Sequence, residues 1–204
     1  MAKQRSAWLR RHVADPYVRR AQDAGYRSRA AFKLLEIDRR DRLLRPGMRV
    51  LDLGAAPGGW AQVAAARVRP GGHVVAVDLL QIAPIPGVTV LRGDLSDPAL
   101  REAVAAALAG PADLVLCDLS PNLTGIASAD QARAATLVET ALAIAQALLR
   151  PGGAFLCKIF HGEAYAGLLD AFKAAFETVQ VRKPGASRSE SRETYVLARG
   201  PRPT

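Results

Sequence analysis

Apolar and polar positions change their period several times along the chain, and each change marks an element. From Tyr17 to about residue 43, Tyr17-Val18, Ala30-Ala31-Phe32, Leu34-Leu35 and Ile37 recur at helical spacing among arginines, so 17–43 reads as mainly helical. Arg45-Pro46-Gly47 ends it. Short apolar runs then alternate with longer amphipathic ones. Strands are predicted at Val50–Leu53, His73–Asp78, Val88–Asp94, Asp113–Asp118 and Ala154–Phe160. Helices are predicted at about 58–68, 98–109, 131–149 and 163–176. Pro70-Gly71-Gly72 and Arg150-Pro151-Gly152-Gly153 act as breaks. Two last strands, 178–183 and 193–199, have no helix between them.

Alternation of strands and helices implies a parallel sheet covered on both faces. The linker Pro184–Arg192 is too short for a parallel crossover, so the last two strands should pair antiparallel. The expected fold is α/β: a mostly parallel seven-stranded Rossmann-like sheet with helices on both faces and an antiparallel last strand. A length of 204 residues suits one domain over 1–204, with a basic helical segment at about 1–45.

Composition changes this picture little, but charge distribution changes it a great deal. Residues 1–49 carry 14 Lys and Arg against 5 Asp and Glu, a net of +9, while residues 50–204 balance at 14 against 14. A whole net charge confined to one segment points to a polyanionic partner, with nucleic acid favoured over anionic lipid. Arg10, Arg11, Arg19, Arg20, Arg27 and Arg29 are the candidate phosphate contacts. Trp8, Tyr17 and Tyr26 are the few aromatics that look exposed. No apolar run is long enough to span a membrane, and the arginine-rich start lacks the apolar core of a secretory signal. Cys117 and Cys157 sit in apolar strand-like runs and read as small core residues of a reducing compartment. The three histidines and two cysteines show no metal-ligand spacing, and no metal is expected.

Candidate chemistry begins at Asp52-Leu53-Gly54-Ala55-Ala56-Pro57-Gly58-Gly59-Trp60, which follows a strand and opens a helix. In an open α/β sheet, ligands bind beyond the carboxyl ends of the strands. The spacing is not the G-x-G-x-x-G of dinucleotide sites, because position 56 is Ala and Pro57 has no N–H to donate. Asp-x-Gly-x-x-x-Gly is typical of methyltransferases that bind S-adenosylmethionine, whose amino-acid tail such a turn need only admit. Asp78 ends the second predicted strand, where a carboxylate accepts from ribose hydroxyls. Asp94 ends the third, where one can accept from an adenine amino group. Asp118 ends the fourth, so three carboxylates point at one edge. Lys158 lies inside the apolar run Phe155–Phe160, where a lysine is costly unless paired, and Asp118 is the natural partner. Glu193 opens the last strand, and Lys33 lies in the basic helical segment.

With these residues in place, the sequence resembles the FtsJ/RlmE family of ribosomal RNA ribose 2′-O-methyltransferases over roughly residues 12–202. The likeness rests on Ser28-Arg29-Ala30-Ala31-Phe32-Lys33-Leu34, the Asp52–Trp60 turn, Asp118 with Pro121-Asn122, Lys158 with Phe160 and Gly162-Glu163, and Arg182-Lys183-Pro184 leading to Ser191-Arg192-Glu193 and Tyr195. It implies a catalytic Lys-Asp-Lys-Glu tetrad at Lys33, Asp118, Lys158 and Glu193. It implies S-adenosylmethionine held by Gly58, Trp60, Asp78, Asp94 and Asp118. The implied substrate is a uridine 2′-hydroxyl of 23S rRNA in the large ribosomal subunit, methylated in the cytoplasm by a monomer. Ser120 and His161 depart from the pattern, where Ala and Gln are more usual.

A ribose hydroxyl is a poor nucleophile, so it must be oriented in line with the methyl group and its proton must leave. Lys158 can serve as the base or only steer the hydroxyl; the sequence leaves both open. An NAD-dependent oxidoreductase is disfavoured by the glycine spacing. A base-amino methyltransferase would carry Asp/Asn-Pro-Pro-aromatic after the fourth strand, and a cytosine-C5 enzyme a Pro-Cys nucleophile. A transfer-RNA ribose methyltransferase and a non-catalytic RNA-binding assembly factor are the remaining alternatives.

Overall fold

The structure is a computed structural model and describes residues 15–121, 124–188 and 191–203. Seven strands form one sheet in the order β3-β2-β1-β4-β5-β7-β6. The strands are β1 (Arg49–Leu53), β2 (His73–Asp78), β3 (Val88–Arg92), β4 (Ala112–Cys117), β5 (Leu149–Phe160), β6 (Phe176–Arg182) and β7 (Glu193–Pro201). β1 to β5 run parallel to one another, while β7 runs antiparallel to both β5 and β6. The last strand is thus inserted between β5 and β6, and its antiparallel pairing follows from the short linker before it. Lys183 ties that linker down by donating from Nζ to the main-chain oxygens of Ser191 (2.7 Å) and Glu193 (2.6 Å).

Six helices accompany the sheet among the described residues: α1 (Pro16–Asp23), α2 (Ala30–Asp41), α3 (Gly59–Val68), α4 (Pro98–Leu108), α5 (Ala127–Leu148) and α6 (Tyr165–Ala175). α2 and α3 cover one face, where Leu34, Ile37, Val63 and Trp60 meet Val50, Leu114, Leu156 and Tyr195. α4, α5 and α6 cover the other, around Leu108, Leu142, Phe155 and Phe172. Cys117 and Cys157 are buried, unbridged and paired in register on β4 and β5, within this second core.

Several boundaries differ from expectation. The segment 17–43 is two helices rather than one. Gly25, at φ +72°, turns the chain after α1, and the Tyr26 amide folds back to the Ala21 carbonyl at 2.8 Å. β3 stops at Arg92, so Asp94 lies in the following turn, and Asp118 lies one residue beyond β4. α5 starts at Ala127, four residues earlier than predicted, where Asp130 in its first turn accepts from Thr124 and Gly125 and ties down the entering loop. β5 begins at Leu149, before the predicted break. Pairing with β4 jumps from Ala112↔Leu149 to Leu114↔Ala154, so Arg150–Gly153 bulges out, held by Arg150 on Asp113 at 2.6 Å. Regular pairing resumes at Ala154, as the sequence suggests.

Candidate active site

Parallel β3, β2, β1 and β4 end at the same edge, and the expected site residues gather there from both sides of β1. On the cofactor side, residues 54–58 turn from β1 into α3. Gly54 and Gly58 have φ of +72° and +112°, a region L side chains rarely adopt. The turn is also tightly covered. A Cβ on Gly54 would collide with Leu119, and one on Gly58 would come within 2.6 Å of Ile85.

Asp78 ends β2 and braces the turn. Its Oδ2 accepts from the Ala56 amide at 2.9 Å and its Oδ1 from the Leu80 amide at 2.8 Å. Each oxygen keeps a lone pair for a further donor. Asp94 is exposed, and its Oδ1 accepts from both the amide (2.9 Å) and hydroxyl (2.8 Å) of Ser96, which hold its carboxyl below the ordinary range. These acceptors at the strand ends suit the hydroxyls and amino group of an adenosyl moiety. Trp60 differs from the expected picture. Its ring is buried against Tyr195, and Nε1 donates to the Ala30 carbonyl at 2.8 Å, so only its backbone faces the turn side.

On the other side, geometry follows from the β5–β7 ladder. Lys158 lies opposite Tyr195, and Phe160 lies opposite Glu193. Directly opposed residues and residues two apart share a sheet face, so Lys158, Phe160, Tyr195 and Glu193 present to one side. α2 packs over that side and brings Lys33. Lys33 Nζ meets Glu193 Oε1 at 2.5 Å, with both side chains about nine-tenths buried. Lys158, 5% exposed, places Nζ 3.1 Å from Asp118 Oδ1 and 2.8 Å from the Asp118 carbonyl. Lys33, Asp118, Lys158 and Glu193, separated by up to 160 positions in sequence, form two ion pairs linked through Tyr195. The Tyr195 hydroxyl donates to Asp118 Oδ1 at 2.9 Å, and Lys33 Nζ stands 5.7 Å from its ring centre. Burial and the charge of Asp118 push the Tyr195 phenol well above its ordinary value, which keeps it a donor. Burial opposes charge on Glu193, but the charge and hydrogen bond of Lys33 outweigh it and hold the carboxyl below the ordinary range.

Four residues matter here whose part in the site the sequence motifs do not reveal. Tyr195 links the two pairs; its place two residues after Glu193 on one strand was the signal. Ser120 Oγ lies 2.6 Å from Lys158 Nζ. Asp52 is fully buried in β1, and neither carboxylate oxygen has a partner among the described residues. Burial, then the charge of Asp118, drives its carboxyl well above the ordinary range, toward the neutral form. An acid inside Val50-Leu51-Asp52-Leu53 is the same anomaly that singled out Lys158. Arg27 carries no such signal. Its guanidinium donates to the carbonyls of Pro57 (3.3 Å), Ala83 (2.6 Å) and Pro84 (2.7 Å), clasping the glycine turn to the loop after β2.

Arg27 is therefore not a free phosphate contact, and neither is Arg29, which is engaged by Asp15 and the Ala186 carbonyl. Tyr17 and Tyr26 pack on Phe32 rather than standing free. Arg19 and Arg20 are exposed on α1, with Arg20 over the Tyr17 and Phe32 rings; Arg39, Arg40 and Arg42 extend the exposed positive surface along α2. Arg10, Arg11 and Trp8 lie outside the described residues. No group of three or more His, Cys, Asp or Glu among the described residues could hold a metal ion.

Residues 26–201 match the model of the FtsJ-like methyltransferases. The chain belongs to this family. Within the FtsJ-like methyltransferases it is 53% identical over 196 residues to the ribosomal RNA large subunit methyltransferase E of Azoarcus sp. strain BH72, covering 96% of each chain. It is 49% identical over 200 residues to the protein of the same name from Pseudomonas aeruginosa, covering 98% of this chain and 97% of that one. A crystal structure from Plasmodium falciparum assigned as a ribosomal RNA methyltransferase aligns with a TM-score of 0.77 at 24% identity, over 86% of this chain and 98% of that one. Aeropyrum pernix fibrillarin with bound S-adenosyl-L-methionine aligns at 0.58 and 19% identity, over 85% and 75%. At these identities the solved structures establish the shared Rossmann-like fold, and the family match makes this chain a methyltransferase.

Proposed function

We propose that the chain, acting as one domain and a monomer, transfers a methyl group from S-adenosylmethionine to a ribose 2′-hydroxyl of RNA. The target we favour is a uridine of 23S rRNA in the large ribosomal subunit, methylated in the cytoplasm. The observation that carries this reading is the meeting of two ion pairs, Lys158–Asp118 and Lys33–Glu193, beside a glycine turn at one sheet edge. Bound S-adenosylmethionine supplies an activated methyl group on a positive sulfur; Gly58, Asp78, Asp94 and the backbone at Trp60 are the residues that would hold it. Lys158 reaches the reacting hydroxyl, steered by Asp118, and either orients it or takes its proton. Lys33 and Glu193 pair beside it and balance the charge around Lys158. Exposed arginines of α1 and α2, contiguous with Lys33, grip phosphates, so structured RNA is read mainly by shape and backbone.

Support for the ribosomal target comes from the two bacterial relatives named for large-subunit ribosomal RNA, at about half identity over nearly the whole chain. The family membership and the assembled tetrad weigh against a non-catalytic assembly factor. The test offers labelled cofactor with large subunits, free ribosomal RNA, transfer RNA and capped messenger RNA from cells lacking the enzyme, followed by mapping of ribose methyl groups. Large-subunit ribosomal RNA should take the label on a uridine 2′-oxygen. Preferential labelling of transfer RNA or caps, or a methyl group on a base, would refute the proposal.

A further inference from the structure

A charged Lys158 has three protons to place, and three protein acceptors among the described residues surround it. Two come from Asp118, whose carbonyl and carboxylate oxygens can only accept. The third and shortest contact, at 2.6 Å, is the hydroxyl of Ser120. Ser120 is unlike the others in two respects. A hydroxyl can turn from acceptor to donor, and Ser120 is exposed while Lys158 is 5% exposed.

A neutral Lys158 needs a donor for its new lone pair. Asp118 faces it with oxygens alone, and Tyr195 already spends its proton on Asp118. Among the described residues, Ser120 is the protein group that can meet that lone pair, beside the substrate hydroxyl itself. We propose that Ser120 is a positioning residue for methyl transfer: its hydroxyl fixes Lys158 Nζ against Asp118 and relays the lysine proton to solvent. This rests on the functional reading above.

The proton moves from Nζ to Ser120 Oγ while the serine proton passes to a water on its exposed side. The 2′-hydroxyl then gives its proton to Nζ as its oxygen bonds the methyl carbon. The electron pair of the broken carbon–sulfur bond stays on sulfur. Lys158 ends charged, as it began, and one proton has reached solvent per turnover.

The experiment compares wild type, Ser120→Ala and Ser120→Thr by three readouts. These are steady-state kinetics on large subunits, thermal unfolding, and the solvent exchange of the Lys158 ammonium protons followed by NMR in the protein without cofactor. Ser120→Ala should lower kcat about tenfold with both KM values within about twofold. Its Lys158 protons should exchange with solvent about tenfold more slowly, because the hydroxyl that passes them to water is gone. Ser120→Thr, which keeps the hydroxyl, should restore both. An unmoved Lys158 exchange rate in Ser120→Ala overturns the proposal whatever happens to kcat, as does a threonine variant no better than alanine or a kcat loss that merely follows a lower Tm. Failure of the functional reading looks different: wild type itself would leave ribose hydroxyls unmethylated, while the NMR comparison would still report whether Ser120 governs Lys158.

Discussion

At the β1–β2–β3 side of the edge the main chain does most of the holding. Gly54 and Gly58 make the turn, Asp78 braces it through two amides, and Arg27 clasps it through three carbonyls. At the β4–β5–β7 side the work is done by side chains: two ion pairs, a buried tyrosine and a serine. Their buried acids behave in opposite ways. Asp52, without a partner, is driven toward its neutral form, whereas Glu193, facing Lys33, is held charged. One half resists substitution because backbone needs space. The other resists because each buried charge needs its opposite.

The sharpest test of this contrast is Lys158→Ala. It should reduce methyl transfer by roughly 10²- to 10⁴-fold, the range for a positioned proton-transfer group, and leave cofactor affinity nearly unchanged. Single-turnover kinetics with calorimetry separates the two, and substantial turnover by the alanine variant would remove Lys158 from the mechanism.

Breaking the second pair should cost stability as well as activity. Lys33→Ala or Glu193→Ala strands a buried charge, for which about 3–5 kcal/mol is typical. The double variant removes both charges and should recover part of that loss in a denaturant titration. Strictly additive losses would mean that the pair is not coupled.

Asp78→Ala belongs to the cofactor half and should show the reverse pattern of Lys158→Ala. Losing acceptors to a ribose should weaken S-adenosylmethionine binding by about 1–3 kcal/mol, with RNA binding intact. An unchanged Kd for the cofactor would take Asp78 out of the ribose clamp.

The smallest effect is a slope. Because Asp52 holds a proton in the folded chain that the unfolded chain releases near pH 4, its contribution to stability declines as pH rises from there toward its raised folded value. Glu193 has the opposite sign. Its contribution is present above the ordinary carboxyl pKa and is lost as pH falls through its lowered folded value. Asp52→Asn, neutral at every pH, should flatten the decline of Tm on the alkaline side of pH 4 and leave the acid-side loss alone. Identical Tm profiles for wild type and Asp52→Asn would show that the carboxyl is not held protonated.

The same contrast governs how much could be read from sequence. The cofactor turn is local: a strand, a glycine turn and a helix lie within twenty residues, and their spacing carries the signal. The alternation of apolar runs placed the strands, and the nine-residue linker gave the antiparallel end. The ion-paired half comes from residues 33, 118, 158 and 193, and no local period joins them; the family resemblance did. Pairing of Glu193 with Lys33 rather than with Lys158 depends on β7 entering between β5 and β6, a topological choice that periodicity does not encode. Arg27 and Arg29 looked like phosphate contacts because charge counting cannot see the carbonyls and the aspartate that occupy them. The helical reading of 17–43 ran through Gly25 because flanking arginines and alanines are good helix formers on either side.

β7 also sets a timetable. Lys33 is made early and its partner Glu193 more than 150 residues later, and Tyr195, which braces Asp118, comes later still. During synthesis the arginine-bearing helices emerge first, with Lys158 following, yet the strand that completes the site threads between β5 and β6 at the end. The two ion pairs and the tyrosine between them therefore come together only when the final strand is in place, at the end of synthesis.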